Sequence, residues 1–157
     1  MKDITPCLWF NNEAEEAMNF YTSVFKDSEI LNVSRYPADG PMPEGTVMMA
    51  EFSVNNIKFL ALNGGPHFKF NESISFVIYT ENQEETDYYW NNLTADGGAE
   101  SMCGWLKDKY GLSWQVTPVA LIERMKDKDH EKAGKVMAAM MQMRKIDIAK
   151  IEEAYNS

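Results

Sequence analysis

The order of secondary-structure signals repeats along this chain, and that repeat constrains the fold more than any other feature of the sequence. An apolar run at residues 4–10 predicts a strand, and from Asn12 the apolar residues recur at helical spacing as far as Phe25. Three strand-like segments follow, at residues 30–36, 46–54 and 57–62. Asn55-Asn56 joins the last two segments as a tight hairpin turn. The first third of the chain is therefore predicted to be βαβββ.

A similar order begins again at residues 73–80, which predict a strand. Residues 82–93 then predict a helix that begins with a capping box running from Asn82 to Glu85. A shift of 69 residues brings the two copies into register. Further strand-like segments follow, at residues 99–103 and 112–117, on either side of a tight turn at 107–111. The chain thus contains a second copy of the first arrangement.

The rest of the chain predicts helices. Asp129 and Asp147 are suited to cap two of them, because aspartate side chains accept hydrogen bonds from the first backbone N–H groups of a helix. Apolar residues share one face of the first of these two helices: Ala133, Val136, Met137, Met140 and Met141. Such a face is typical of a core or a dimer contact, and in some proteins of a groove for partners.

These patterns together predict an α+β fold. We expect two paired βαβββ modules, over about residues 1–65 and 72–118, and a C-terminal helical extension over about residues 119–157. A chain of this length is expected to form a single domain with a substantial core.

The charge of the chain restricts its partners. Fifteen Lys and Arg residues against 24 Asp and Glu residues give a net charge of −9 at pH 7, without a basic stripe. Nucleic acid is therefore not an expected partner. No apolar run reaches the length of a signal peptide or a membrane span. The two cysteines, Cys7 and Cys103, are too few for a disulfide framework and lack the spacing of a zinc site. A cytoplasmic protein with reduced thiols and no membrane partner is expected.

Six short motifs carry a resemblance to a known family: PCLWF from Pro6, AEEAMNFY from Ala14, ALNGGP from Ala61, YW from Tyr89, CGWLKD from Cys103 and GLSWQ from Gly111. With the paired modules, they resemble the vicinal oxygen chelate superfamily, which includes glyoxalase I, bleomycin-resistance proteins and extradiol dioxygenases. The motifs are most similar to its PhnB-like branch, often labelled 3-demethylubiquinone-9 3-methyltransferase. The resemblance implies a homodimer in which modules from two chains complete each cavity.

In catalytic members of this superfamily, four side chains from the first and last strands of the two modules hold one divalent metal. The resemblance places these positions at Pro6, Ala61, Ser75 and Gln115, with Asn63 in place of Ala61 if the register slips by two residues. Proline and alanine side chains offer no ligand atom, and a catalytic zinc site needs about three protein ligands from His, Cys or carboxylate. We therefore expect no metal at this place and no other cofactor.

The same resemblance predicts a cavity bordered by eight candidate residues: Trp9, Asn63, His67, Ser75, Cys103, Trp105, Trp114 and Gln115. Phe59 and Phe76 are further aromatic candidates, although aromatic rings at such positions are just as typical of a packed core. An apolar cavity with a few polar groups suits a small aromatic or apolar ligand.

Three functions follow from this picture. The first is a metal-free protein that binds a small molecule. The second is an enzyme that acts on a quinone-like or aromatic substrate without the usual metal, through Cys103, His67 or Gln115. The third is the methyltransferase of the family label, but the first strand is followed by Asn11-Asn12 and not by the Gly-rich turn of a Rossmann-like sheet.

Overall fold

The computed structural model describes residues 4–157, so the first three residues of the predicted first module lie outside it. The chain divides into two compact units, with the boundary between Phe70 and Asn71. Each unit contains one four-stranded mixed sheet, and the helical extension belongs to the second unit. The predicted fold class, α+β with paired βαβββ modules and a helical C-terminal part, is confirmed.

The first unit follows the predicted order. Its elements are β1 (Cys7–Phe10), α1 (Ala14–Val24), β2 (Ser28–Arg35), β3 (Val47–Val54) and β4 (Ile57–Asn63). The sheet order is β1-β4-β3-β2, with β1 parallel to β4 and the other pairs antiparallel. Asn55 and Asn56 have φ values of 46° and 63°, the left-handed conformation that a two-residue hairpin of this type requires. The predicted hairpin turn is confirmed.

One face of the first sheet packs against α1. Alternate strand positions carry apolar residues that are almost fully buried: Leu8, Phe10, Ala50, Phe52, Phe59 and Ala61. The Phe52 ring stacks between Tyr21 of α1, at 6.1 Å between centroids, and Phe59 of β4, at 5.6 Å. Because strand side chains alternate between faces, Phe59 and Ala61 both point toward the helix. Phe59 is therefore a core residue and not part of a cavity wall.

The helix α1 begins two residues after Asn12, where the helical spacing starts in the sequence. The helix begins at Ala14, and its N-cap residue Glu13 makes no side-chain capping bond. Instead, the buried Asn63 at the end of β4 accepts a hydrogen bond from Ala14 N at its Oδ1, at 2.9 Å. Its Nδ2 donates to Val47 O at 2.8 Å. A residue distant in sequence thus satisfies the helix N-terminus, which local spacing from Asn12 does not reveal.

The second unit repeats the arrangement with shorter strands. Its elements are β5 (Ser75–Thr80), α2 (Gln83–Thr94), β6 (Ala99–Glu100), β7 (Trp105–Lys107) and β8 (Ser113–Pro118). The sheet order is β5-β8-β7-β6, with β5 parallel to β8. Asn82 caps α2 as predicted, since its Oδ1 accepts from Glu85 N at 2.9 Å. Glu85 Oε2 accepts from Glu81 N at 2.7 Å and not from Asn82 N, so the capping box is shifted by one residue on that side.

A single buried carboxylate organises the turn between β7 and β8. Asp108 is 2% exposed, and its Oδ1 accepts hydrogen bonds from Tyr110 N at 2.9 Å and Leu112 N at 3.1 Å. Its Oδ2 accepts from the indole Nε1 of Trp114 at 2.9 Å. Gly111 has a φ of 84°, so the turn needs glycine there. The predicted turn is confirmed, and Asp108 links it to the core.

Three helices complete the second unit: α3 (Val119–Met125), α4 (His130–Met140) and α5 (Ile148–Asn156). They surround a small core of Leu121, Val136, Ile146 and Ile151. Asp129 and Asp147 cap α4 and α5 as predicted. The predicted apolar face of α4 is only partly buried, because Met137 and Met141 are 46% and 58% exposed. None of the helices within residues 4–157 has the length and apolar character to cross a membrane.

A tyrosine ties this helical part together at its surface. Tyr155 Oη donates to Asp127 Oδ2 at 2.6 Å, and its ring lies under the Arg124 guanidinium, 4.4 Å from the ring centroid. The hydrogen bond from Tyr155 lowers the pKa of Asp127 below its ordinary value. The same bond raises the pKa of Tyr155 above its ordinary value. Folding therefore favours the charged carboxylate together with the neutral phenol.

Replacing the organising carboxylate tests its role. Asp108→Asn puts an amide donor opposite one of the N–H donors that the carboxylate binds, and we expect the free energy of unfolding to fall by about 2–3 kcal/mol. Urea denaturation measures it. Asp96→Asn is the matched control, because Asp96 is exposed with a φ of 54°, which asparagine tolerates. A loss at Asp108 no larger than that at Asp96 contradicts this account of the turn.

The Tyr155 bond predicts a pH dependence with a definite sign. Because the pKa of Asp127 is lowered by folding, this carboxylate stabilises the folded state at pH values above its unfolded-state pKa of about 4. The stabilisation is lost as the pH falls through the folded-state pKa. Because the pKa of Tyr155 is raised by folding, the phenol stabilises the folded state at pH values below its unfolded-state pKa of about 10. The stabilisation is lost as the pH rises through the folded-state pKa. The stability difference between wild type and Tyr155→Phe should therefore be largest between these limits. Tyr79→Phe, at a tyrosine that is 62% exposed, should show a flat difference in the same denaturation series.

Candidate functional site

The second sheet has one face on α2 and an opposite face, which we call the far face. The α2 side is marked by the hydroxyls of Thr80 and Thr86, which are 2.7 Å apart, and by Trp90 Nε1, which donates to Glu100 Oε1 at 2.9 Å. Strand side chains alternate, so the pairing register defines the other side. The far face carries Ser75, Val77, Tyr79, Trp105, Lys107, Ser113, Gln115 and Thr117.

Four of the predicted site residues lie in or beside this face. Gln115 Nε2 donates to Ser75 Oγ at 2.9 Å, across the parallel strands β8 and β5. Trp105 is directly opposite Gln115 in the antiparallel β7–β8 pair. Cys103, half-buried, lies in the turn that precedes β7, with a φ of 60°. The far face therefore brings together an amide, a hydroxyl and an aromatic ring.

A cavity of about 250 Å³ opens beside Trp105. Its lining residues are Glu72, Ala99, Glu100, Ser101, Trp105, Leu106, Lys107 and Ser113. Ser113 is 1% exposed, and its Oγ is a buried polar atom without a hydrogen-bond partner among residues 4–157. A buried hydroxyl without a partner costs about 1–3 kcal/mol, so such an atom beside a cavity needs an explanation.

The cavity lining also contains an ion pair. Lys107 Nζ contacts Glu72 Oε1, and both side chains are partly exposed. The hydrogen bond from Lys107 lowers the pKa of Glu72 below its ordinary value, so Glu72 is a carboxylate at neutral pH. Ion pairs as exposed as this one contribute little to stability.

The predicted site residues of the first unit form a packed cluster. The indole Nε1 of Trp9 donates to Gly65 O at 2.9 Å, and the Phe68 ring meets the Trp9 ring edge-on with 4.9 Å between centroids. A Cβ atom at Gly64 would lie 2.3 Å from the Trp9 ring, so only glycine fits there. His67 is exposed in the same loop. Trp9 is thus held by residues 64–68.

Two predicted cavity residues belong to the packed interior instead. Trp114 is 4% exposed, lies on the α2 side beside Leu106 and Phe76, and donates its indole N–H to Asp108. Asn63 uses both ends of its amide, with Ala14 and Val47, as described above. Strand register is the physical reason, because a shift of one position moves a side chain to the other face.

The residues at the metal-ligand positions of the superfamily do not form a metal site in this chain. Ala61 points toward α1, whereas Ser75 and Gln115 offer only neutral groups that already bond each other. No set of three or more His, Cys, Asp or Glu side chains within residues 4–157 is placed to hold a metal ion. These residues do not fit a divalent ion, which prefers imidazole, thiolate or carboxylate ligands.

The surroundings of the Cys7 thiol do not activate it. Desolvation raises the pKa of the Cys7 thiol above its ordinary value, although Cys7 as a residue is exposed. A nucleophilic cysteine needs the opposite shift, since the thiolate is the reactive form.

Sequence reasoning missed several residues of the cavity, namely Ser113, Lys107, Glu72 and Ser101. Strand alternation was the available signal, because Ser113 lies two residues before Gln115 and so shares its face. The sequence gives no signal that Ser113 Oγ has no hydrogen-bond partner among residues 4–157.

Comparison with known proteins identifies the family. A family model described as 3-demethylubiquinone-9 3-methyltransferase matches residues 2–117. The chain belongs to this family. A solved structure from Bacillus cereus, described as a putative 3-demethylubiquinone-9 3-methyltransferase, PhnB protein, is 41% identical, with a TM-score of 0.69. The match covers 75% of this chain and 100% of that chain. The predicted resemblance to the PhnB-like branch is confirmed.

More distant structures share the fold. A protein of Pseudomonas aeruginosa is 21% identical over 75% of this chain and 98% of its own, with a TM-score of 0.61. The fosfomycin resistance protein FosX of Listeria monocytogenes is 14% identical over 80% of this chain and 98% of its own, with a TM-score of 0.59. No curated protein matches the sequence. The PhnB family model ends at Thr117, so α3, α4 and α5 lie outside the matched residues.

Stability measurements separate the two serines of the far face. Ser113→Ala removes a buried hydroxyl without a partner, so the free energy of unfolding should stay unchanged or rise by up to about 1 kcal/mol. Ser75→Ala removes the acceptor of Gln115 and should lower it by about 0.5–1.5 kcal/mol. Urea denaturation of both variants checks the order. A larger loss at Ser113 than at Ser75 contradicts the assignment of an unsatisfied hydroxyl.

Proposed function

We propose that this protein binds a small flat aromatic molecule with a hydrogen-bonding oxygen, in the cavity beside Trp105, without a bound metal. The observation that carries the proposal is the Ser113 hydroxyl, which is buried, borders the cavity and has no partner among residues 4–157. A ligand oxygen at this place would form the missing hydrogen bond, and the free energy otherwise lost would contribute to binding.

The other lining groups suit the same kind of ligand. The Trp105 ring offers an aromatic surface, and aromatic rings prefer offset-stacked or edge-on neighbours. Gln115 Nε2 is already used by Ser75, which leaves Gln115 Oε1 as an acceptor on the same face. The cavity of about 250 Å³ is smaller than a drug-sized pocket of about 300–1,000 Å³, so it suits a single ring.

The family description supports an aromatic or quinone-like ring. It names 3-demethylubiquinone, whose head group is one oxygen-substituted six-membered ring. The description also names methyl transfer. Both sheets here are four-stranded and mixed, unlike the parallel doubly wound sheet with a Gly-rich first turn that commonly binds nucleotide cofactors. Binding of the ring is therefore the activity that we propose.

Calorimetric titration with 2,3-dimethoxy-5-methylhydroquinone, kept reduced under argon, tests the proposal. We expect a dissociation constant on the order of 0.1 mM, as is usual for a ligand of this size. Ser113→Ala should weaken binding about tenfold, because the variant cannot donate to the ligand oxygen. Trp105→Ala should weaken it at least as much, since the aromatic wall is lost.

Ser53→Ala is the control, since Ser53 lies on β3 in the other unit and should leave the titration unchanged. A wild-type protein that does not bind the hydroquinone at millimolar concentration contradicts the proposal, and so does a Ser113→Ala variant that binds equally well.

A further inference from the structure

Residues 143–148 follow α4 and include the first residue of α5, and their backbone makes four hydrogen bonds to the rest of the second unit; we call them the latch segment. Met143 O and Arg144 O accept from the backbone N–H groups of Cys103 and Gly104, each at 2.7 Å. The side chain of Gln83 at the start of α2 makes the other two: Nε2 donates to Ile146 O at 3.1 Å, and Oε1 accepts from Ile148 N at 2.9 Å.

The latch segment is also packed against the turn that it bonds. Ile146 is fully buried. A Cβ atom at Gly104 would lie 3.3 Å from Ile146 Cγ1 and 2.8 Å from Val116 O, so glycine is needed for this close approach. Cys103 has a φ of 60°, a conformation that a non-glycine residue adopts only when its surroundings hold it there. The latch segment provides part of that restraint.

Two ion pairs reinforce the attachment. Lys145 Nζ lies 2.6 Å from Asp87 Oδ1 on α2, and the hydrogen bonds from Lys145 and Gln83 lower the pKa of Asp87. Arg144 Nη1 lies 3.6 Å from Glu100 Oε2 on β6. Each pair is partly exposed and contributes little by itself. The main attachment is therefore the buried isoleucine and the four hydrogen bonds.

The turn held in this way forms the edge of the proposed ligand cavity. Trp105 follows Gly104 directly, and its backbone N donates to Met102 O at 3.1 Å. Its backbone O accepts from Ser101 N at 2.9 Å. Ser101 and Trp105 both line the cavity. Residues 101–105 are thus one turn, with the latch segment bonded to its middle and the cavity bordered by its two ends.

We infer that the latch segment is a positioning element for Trp105, so that the affinity of the cavity depends on helices that lie outside the PhnB family model. Gln83, Met143 and Arg144 act through the turn and do not touch the ligand. The consequence for affinity rests on the proposed function, whereas the restraint on Trp105 does not.

Gln83→Met tests the inference, because methionine has a similar length and cannot make the two hydrogen bonds to the latch segment. The variant also loses the bond from Gln83 Nε2 to Asp87 Oδ1, which lies within α2. Labelling with 5-fluorotryptophan gives one fluorine resonance for each of the four tryptophans, and Trp105→Phe assigns the one of interest. We expect the Trp105 resonance to shift in Gln83→Met, and the Trp9 resonance to stay in place. Amide hydrogen exchange at Cys103 and Gly104 should become about tenfold faster. Affinity for 2,3-dimethoxy-5-methylhydroquinone should fall about fivefold.

Gln142→Met is the matched control: it makes the same change on an exposed residue just before the latch segment and should leave all three readouts unchanged. If Gln83→Met does not fold, Lys145→Met should give smaller changes in the same direction. A folded Gln83→Met with unchanged Trp105 resonance and exchange overturns the inference, as does a shifted resonance with unchanged affinity. If the wild type does not bind the hydroquinone, the proposed function is wrong. The Trp105 resonance and the amide exchange rates then test the restraint on Trp105 by themselves.

Discussion

The hydrogen bonds of the Asp108 carboxylate determine the geometry of the second unit. The backbone N–H groups of Tyr110 and Leu112 and the Trp114 indole N–H all donate to this buried group. With Trp114 fixed on the α2 side, alternation places Ser113 and Gln115 on the far face. A slip of one residue in β8 would exchange the two faces and remove the cavity lining. The candidate site is in this sense a consequence of one carboxylate on the other side of the sheet.

The hydroxyl groups on the two faces of this sheet differ in their hydrogen bonding. On the α2 side, the hydroxyls of Thr80 and Thr86 bond each other in the interior, as buried polar groups usually do. On the far face, Ser75 is bonded by Gln115, whereas Ser113 has no partner among residues 4–157. Ser113 is therefore the exception among the hydroxyls just named, and it lies beside a cavity. Such an exception is expected at a binding site, where function is gained at some cost in stability.

Local signals in the sequence predicted the features that depend on near neighbours. The Asn55-Asn56 turn and the Asn82, Asp129 and Asp147 caps are each decided within four residues, and all are present. Features that depend on distant neighbours were not predicted. Asn63 caps a helix that begins 49 residues earlier in the chain, and the sequence contains no trace of that contact. The orientation of Trp114 likewise follows from its bond to Asp108, whereas aromatic composition alone suits either face.

In this chain the end of the family match and the end of the compact structural unit lie at different residues. Similarity to the PhnB family ends at Thr117, within the last residues of β8. The compact unit, however, continues to Ser157, and within it Ile146 packs against the turn at Gly104. A fragment cut where the similarity ends would expose the turn at Gly104 and would lose the hydrogen bonds that Cys103 and Gly104 donate to the latch segment. The family match therefore ends inside the second compact unit, and the residues after Thr117 belong to the same unit as the cavity.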